Sequence, residues 1–359
     1  VEYAKSIGID LIGFTDIEPI YEYEALYNAR KGKGYLSGFE EKIFKGGFNP
    51  LNIIPSAKTV ISVGLSYNVN VESEKKGVTG LISKLAIVKD YHVVMKDVLE
   101  RLVEFLKRNF NSRENYISVD NGFLPDKIYA YKAGVGNFGK NSLIINPLYG
   151  SWMVLGEIIT DVYFLRDEKM QALCNGCNRC LLSCPTGAIL PDNQFNARRC
   201  LSYISVSKEV VPEELRIKMG DRIYGCDVCQ EVCPYNKGAL KSRVFSPLVN
   251  QRPDLLQILN LSKKRFMEVY GQTSMAWRGH TVIQRNAIIA LSNLKNDDCV
   301  EIIGKMLIED PRPVIRYYSA WALKNFNSSR TKFFLERALA IEKDEMIKNE
   351  IKKSLEVSG

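Results

Sequence analysis

Eight of the nine cysteines of this 359-residue chain fall between positions 174 and 233, and nothing else in the sequence restricts its fold so strongly. The first group reads Cys174-Asn-Gly-Cys177-Asn-Arg-Cys180-Leu-Leu-Ser-Cys184-Pro185. A lone Cys200 follows, then Cys226-Asp-Val-Cys229-Gln-Glu-Val-Cys233-Pro234. Structural zinc pairs C-x2–4-C knuckles and has no need of a third cysteine at that spacing or of a proline after the fourth. Disulfides require an oxidising compartment, which nothing in the chain suggests. The run C-x2-C-x2-C-x3-C-P instead matches the spacing that holds paired 4Fe–4S cubanes, in which the fourth cysteine of each run ligates the other cluster. Each cubane takes four thiolates, so eight cysteines supply two clusters. Crossing the runs places Cys174, Cys177, Cys180 and Cys233 on one cluster and Cys184, Cys200, Cys226 and Cys229 on the other. The second group is then C-x25-C-x2-C-x3-C-P, a stretched variant of the compact repeat.

The length suggests two or three domains, and 46% hydrophobic with 25% charged residues is the balance of a chain that buries a real core. No apolar run approaches the roughly 20 residues a membrane span needs. No secretory pattern follows Val1, and reduced cysteines with labile clusters point to the cytoplasm. Forty-nine basic residues face 41 acidic ones, a net charge of +8. Such a surface permits nucleic-acid binding without demonstrating it.

Residues 1–165 alternate helical and extended patterns. Residues 10–14 and the apolar run 59–65, bounded by Pro55 and Asn68, read as strands. Met95, Val98, Leu99, Leu102, Val103 and Leu106 recur at helical spacing and predict an amphipathic helix. Residues 116–119 form another strand, closed by the turn Asp120-Asn-Gly. A short helix covers 127–133, and strands follow near 142–145 and 151–160. The whole reads as an α+β/α multi-domain protein. It comprises a mixed-sheet α/β domain over 1–165, a ferredoxin-like double-cluster module over 166–247, and α-helical HEAT-like repeats over 248–359. In the last of these, Val282-Ile283, Ala290-Leu291 and Asn293 return 32 residues later as Val314-Ile315, Ala322-Leu323 and Asn325. Met346-Ile347 and Leu355 keep the register. Glu309-Asp-Pro-Arg-Pro313 suits the turn between repeats, since proline starts helices and cannot continue them. Arrays of this kind generally offer a binding surface rather than chemistry.

Outside the cysteines, Gly134-Val-Gly136-Asn-Phe-Gly139 matches G-x-G-x-x-G but follows a helix and enters a strand, the reverse of the dinucleotide fingerprint. It reads either as a tight turn or as backbone that approaches a large cofactor closely, with Lys140 and Asn141 placed to present a charge and an amide. Asp120 ends a strand, where catalytic groups often lie, although an Asp before Asn-Gly also suits a turn. His92 reads as a helix-start cap, and Cys299 as a small buried hydrophobe. Lys208 reads as a solvated charge. Trp277, Arg278, His280, Arg285 and Asn286 mix bases with planar groups, and Arg312, Arg316, Tyr317 and Tyr318 echo them one repeat on. Arginine pairs with phosphate and stacks on bases, so an RNA-binding face competes here with a merely solvated helical face.

Taken together these residues resemble the epoxyqueuosine reductase family over nearly the whole chain. The likeness runs through Tyr3-Ala-Lys-Ser-Ile-Gly8, Gly34-Tyr-Leu-Ser-Gly-Phe-Glu40, Lys89-Asp-Tyr-His92, Val119-Asp120, Ala133-Gly-Val-Gly136 and Gly139-Lys-Asn141. It continues through both cysteine groups, Arg222-Ile-Tyr-Gly-Cys226, Trp277-Arg-Gly279, Gln284-Arg-Asn286 and Asp310-Pro-Arg-Pro-Val-Ile-Arg316. The resemblance implies a base-off cobalamin beside two 4Fe–4S clusters, and removal of the epoxide oxygen from a modified nucleoside at the wobble position of tRNA. Residues 1–165 would then be the cobalamin-binding catalytic domain. Asp120 would be the proton donor, and Ser83, Ile144, Leu155 and Ser202 would contact the corrinoid. Lys208, Trp277, Arg278, Arg285, Asn286 and Arg316 would meet the tRNA. The chain departs from the family at Gly47, where an Arg usually stands before Pro50; Lys45 is the nearby substitute.

The expected partners are tRNA carrying epoxyqueuosine, gripped at its anticodon stem-loop, and a low-potential donor such as ferredoxin or flavodoxin. A monomer without membrane association, and a cobalt without a protein imidazole, are also expected. Breaking a C–O bond needs a general acid, and Asp120 is expected to serve by having its pKa raised above about 3.9. Two other readings compete. A corrinoid reductive dehalogenase would usually carry an export signal and put its clusters near the C-terminus. A ferredoxin-type electron carrier on a helical scaffold would contain iron without cobalt.

Overall fold

The computed structural model describes residues 1–71, 77–120, 122–326 and 328–357. Asn121, the middle of the expected Asp-Asn-Gly turn, lies outside the described residues. The chain divides into two compact units, and each winds back through the sequence. The first gathers Val1–Asn70, Val88–Cys200 and Asp227–Leu248; the second gathers Val71–Ile87, Leu201–Cys226 and Val249–Gly359.

The first unit is built on a four-stranded sheet. Its strands run in the spatial order Leu11–Thr15, Thr59–Ser66, Met153–Thr160 and Asn115–Ser118. Every neighbouring pair is antiparallel. This differs from the mixed sheet expected, because an apolar run reports that a strand is buried but not which way it points. Thr59–Ser66 is buried at every residue, as its unbroken apolar character implied. The helix Tyr91–Phe110 packs on the sheet through Met95, Val98, Leu99, Leu102, Val103 and Leu106, all buried. Asp90 caps it, its carboxylate accepting the His92 N–H at 3.0 Å. Gly156 on the sheet permits the close approach, since a Cβ there would stand 2.8 Å from Met95 Cγ. The short helix Asp126–Lys132 covers the other end of the same strands and is followed by a small hairpin, Asn137–Phe138 with Ile144–Ile145.

The second unit is mainly helical. Leu81–Ile82 and Arg222–Tyr224 form its one strand pair among the described residues, and that pair is parallel. The helices His280–Leu294, Val300–Glu309, Pro313–Leu323, Ser329–Ile341 and Glu345–Val357 stack in two alternating layers, first on third on fifth and second on fourth. The positions of the 32-residue repeat fall on one another's faces: Ile283, Ala290 and Leu291 are buried, as are Ile315, Ala322, Leu323 and Ile347. Asn325 Nδ2 donates to Ser292 Oγ at 2.8 Å, tying successive repeats together. Among the described residues, no helix is long and apolar enough to cross a membrane.

Candidate functional site

Two features of the first unit carry chemistry. One is a hollow of about 360 Å³, counting its open mouth, into which Cys174, Cys177, Cys180 and Cys233 all face. These are the four thiols grouped by crossing the two runs. The short helices Arg179–Ser183 and Val228–Glu231 pack together and bring the end of the second run to the first. Burial pushes the Cys180 and Cys233 thiols up, and neighbouring Cys174 adds to it. Such crowding is what shared metal relieves, because bound metal ionises a thiol outright. Among the described residues no three ligand side chains converge as they would on a single ion. A cubane takes one thiolate on each of its four irons, and four thiols lining one hollow are that donor set. Lys140 and Asn141 line this same hollow, with Lys140 Nζ donating to Asn178 Oδ1 at 2.7 Å. Their contact is therefore with the cluster hollow. Of the other four cysteines, Cys184, Cys200 and Cys229 belong to the first unit and Cys226 to the second. Cys184 Sγ accepts the Ala188 N–H at 3.3 Å. Burial raises its pKa, but backbone N–H groups of Ile189, Thr186 and Ala188 outweigh that and lower it.

The other feature is Asp120, which follows the strand Asn115–Ser118 in a left-handed conformation, φ 46°. A non-glycine residue held there is strained, and such strain gathers at functional sites. Tyr91 donates its hydroxyl to Asp120 Oδ2 at 2.8 Å, and His92 Nε2 lies 3.3 Å from the same oxygen. His92 Nδ1 meets Asp90 Oδ1 at 2.8 Å. With a carboxylate on each ring nitrogen, His92 is an imidazolium: burial lowers its pKa, but Asp120 and Asp90 overcome this and raise it to about 9. Asp120 moves the opposite way from expectation. Burial pushes its carboxyl up, yet the hydrogen bonds from His92 and Tyr91 hold it below the usual range. The resting proton sits on His92 rather than on Asp120. The sequence concealed this, because His92 and Asp120 are 28 residues apart and Asp-Tyr-His read as a simple cap. Asp120 keeps 54% of its side chain exposed, so the carboxylate stands at the protein surface even though its two hydrogen-bonded neighbours are half-buried.

The remaining candidates divide. Gly136 is buried, and a Cβ there would meet Ile145 O at 2.6 Å. The hairpin's own packing is enough to require a glycine there. Ile144 and Leu155 join one apolar cluster with Ala130, Ala133 and Val135. In the second unit Ser83 lies against Gly225, where a Cβ would stand 2.1 Å from Ser83 Oγ, and Ser202 is exposed. Gly47 cannot host a side chain: a Cβ would stand 1.7 Å from the Phe123 carbonyl oxygen, while Gly47 O accepts the Tyr129 hydroxyl. No arginine fits at that position with the segment after Asp120 packed as it is, and Lys45 beside it is exposed.

Arg285 and Asn286 are corrections. They are 1% and 0% exposed, so neither reaches RNA. Arg285 donates to the carbonyls of Ser207, Ile204 and Ser205, and Asn286 Nδ2 to those of Ser205 and Ile223. They satisfy the orphan carbonyls at the end of the helix Leu201–Val206 and tie it to Ile223 on the strand Arg222–Tyr224. We expect Arg285→Ala to destabilise the second unit by about 3 kcal/mol, by stranding those buried carbonyls. Thermal melts would show the loss, and the folded fraction would bind RNA normally. Arg316 is committed to Glu342 at 2.7 Å, and it holds that carboxyl down at about 2. Lys208 and Trp277 are exposed, and the Arg278 guanidinium sits 3.7 Å over the Trp277 ring.

Thiol-lined hollow, acid pair and helical stack together define an iron–sulfur oxidoreductase with an attached repeat domain. Comparison with known proteins agrees in each part. Residues 173–236 match the 4Fe-4S double cluster binding domain, 48–121 match "Epoxyqueuosine reductase QueG, DUF1730", and 278–356 match HEAT repeats. The epoxyqueuosine reductase of Bacillus subtilis is 37% identical over 366 residues, 99% of this chain and 94% of the relative. An epoxyqueuosine reductase solved with an epoxyqueuosine-modified tRNA-Tyr stem loop superposes with TM-score 0.93 at 38% identity, covering 99% of this chain and 97% of that one. A B. subtilis epoxyqueuosine reductase structure, its catalytic aspartate loop swung out of the active site, gives TM-score 0.93 at 37% identity over 100% and 97% of the two chains. The chain belongs to the epoxyqueuosine reductase family.

Proposed function

We propose that this protein reduces epoxyqueuosine to queuosine at the wobble position of tRNA, with cobalamin and two 4Fe–4S clusters as cofactors. The observation that carries the chemistry is the part-exposed Asp120 carboxylate, hydrogen-bonded to Tyr91 and to the protonated His92. When bound and reduced, cobalamin supplies the strong nucleophile and reductant that C–O cleavage demands. Both histidines of the chain are occupied, His92 by two carboxylates and His280 by the Leu261 carbonyl and Arg312. Ser83, Ile144, Leu155 and Ser202 remain the residues we assign to the corrinoid, and the eight paired cysteines to the clusters.

The chain's own part is to manage a proton. Oxygen departs far more easily as hydroxyl than as alkoxide, so Asp120 delivers a proton to it and His92 resupplies Asp120. Transfer from imidazolium to a carboxylate is uphill at rest, but a strongly basic leaving oxygen draws the proton through. Turnover should therefore fall as pH rises through about 9, where His92 loses its charge. The same group sets a stability trend. Its raised pKa contributes fully below about 6.5, and the contribution is lost as pH climbs through about 9. His92→Gln should lower kcat and erase the alkaline limb. A pH–rate profile that keeps the limb would assign it elsewhere.

For the RNA, exposed Lys208 and the Trp277–Arg278 stack suit a phosphate and a planar ring, and binding should weaken steeply with salt. A low-potential donor such as ferredoxin or flavodoxin, a monomeric state and a cytoplasmic setting complete the reading. The test is nucleoside analysis of epoxyqueuosine-containing tRNA after incubation with the reconstituted protein. Queuosine should accumulate, and tRNA returned unchanged under reducing, cofactor-replete conditions would refute the proposal.

A further inference from the structure

Glu157 lies at the centre of the four-stranded sheet and is fully buried. Strand register sets it opposite Ser62 on one side and Ser118 on the other, and residues directly opposite share a face. Ser62 Oγ donates to Glu157 Oε1 at 3.1 Å. Glu157 Oε2 meets no donor among the described residues, and neither does Asp126 Oδ1. Yet these two carboxyls are hydrogen-bonding neighbours of one another. Two ionised carboxylates would repel at such a contact, and the two facing oxygens, Glu157 Oε2 and Asp126 Oδ1, are shielded from water that could screen it. One proton between them satisfies both orphaned oxygens. The remaining Asp126 oxygen, Oδ2, accepts the backbone N–H of Asp120 at 2.9 Å. A continuous line thus runs from the Ser62 hydroxyl through Glu157 and Asp126 to the strained backbone of Asp120.

We propose that Glu157 and Asp126 share a single proton and act as a positioning pair, gripping the Asp120 backbone so that its carboxylate is presented at the reacting site. Asp120, Lys127, Tyr27, Tyr91 and Tyr116 are the charged and titratable groups facing Asp126, and Tyr129 faces Glu157. Lys127 is the cation among them, and Asp126 stands in the first turn of the helix Asp126–Lys132. Burial and the Asp120 charge raise the Asp126 carboxyl to about 7, while its hydrogen bonds to Glu157 and to the Asp120 amide, with Lys127, favour its ionised form. The proton is left on Glu157, which is fully enclosed in the sheet. Burial and the Asp126 charge raise the Glu157 pKa well above the ordinary value. As a statement about catalysis this rests on the role proposed for Asp120; as a statement about a buried proton and a held amide it does not.

The experiment is hydrogen exchange of the peptide spanning 119–124 in the full-length, cofactor-loaded protein, paired with infrared spectroscopy at neutral pH. Asp126→Ala should speed exchange of the Asp120 amide about tenfold by removing its acceptor. Asp126→Asn and Glu157→Gln preserve an acceptor and a donor, so both should stay within about twofold of the native rate. Turnover should follow the same order in kcat, with KM for tRNA unmoved. The native protein should show a protonated-carboxyl band that Glu157→Gln removes. An unchanged exchange rate in Asp126→Ala overturns the proposal, and so does a native spectrum without that band. The infrared arm needs only the native and Glu157→Gln proteins, and it decides even if Asp126→Ala does not fold. Should the exchange pattern appear in a protein inactive on tRNA, the positioning pair stands and the function proposed above falls.

Discussion

Asp120→Asn should leave iron and cobalamin content unchanged and lower kcat on epoxyqueuosine-containing tRNA by about 10²–10⁴-fold, the usual worth of a general acid. Asparagine keeps the shape and can still accept from Tyr91, so the loop has no reason to move. It can neither take a proton from His92 nor pass one on. The substitution also removes one of the two carboxylates that hold His92 charged. The histidine should then titrate closer to its ordinary value, a shift visible by NMR without any substrate. Single-turnover kinetics separate the chemical loss from weaker tRNA binding, because only the rate at saturating tRNA should fall. Native turnover in Asp120→Asn would take Asp120 out of the mechanism.

Cys233→Ala should remove one cluster, halve the iron content from about eight to about four per chain, and abolish turnover. Cys233 lies nearly 50 residues beyond the first run, yet it lines the same hollow as Cys174, Cys177 and Cys180. The crossing can be tested by pairing substitutions. Cys174→Ala with Cys233→Ala should cost no more iron than either alone, since both belong to one cluster. Cys174→Ala with Cys184→Ala should strip nearly all of it. If the first double variant loses both clusters, Cys233 serves the other set.

Much of this was legible before any coordinates. The cysteine spacing pointed to Cys174, Cys177, Cys180 and Cys233 as one group, and these four line one hollow. Met95, Val98, Leu99, Leu102, Val103 and Leu106 announced the helix Tyr91–Phe110, since a helical period repeats within a few residues. The stack of C-terminal helices was visible from its 32-residue echo. What stayed hidden depends on contacts between distant segments. Strand sense in the sheet was one such case. The Ser62–Glu157–Asp126–Asp120 line was another, because it needs the register of three strands before any member points at the next. Arg285 and Asn286 misled for a related reason. An arginine beside an asparagine suits a nucleic-acid surface equally well as a buried cap on a helix end, and the helix His280–Leu294 is buried along most of its length. The fall in Asp120's pKa was invisible because its cause, an imidazolium, comes from the start of a different element.

The most direct single measurement compares matched anaerobic reactions of the iron-reconstituted protein with epoxyqueuosine-containing tRNA and a strong reductant, with and without added cobalamin. Mass spectrometry of the digested tRNA should show queuosine in the complete reaction and only unreacted epoxyqueuosine in the one lacking cobalamin. Equal conversion in both, or none in either, would contradict the proposed chemistry.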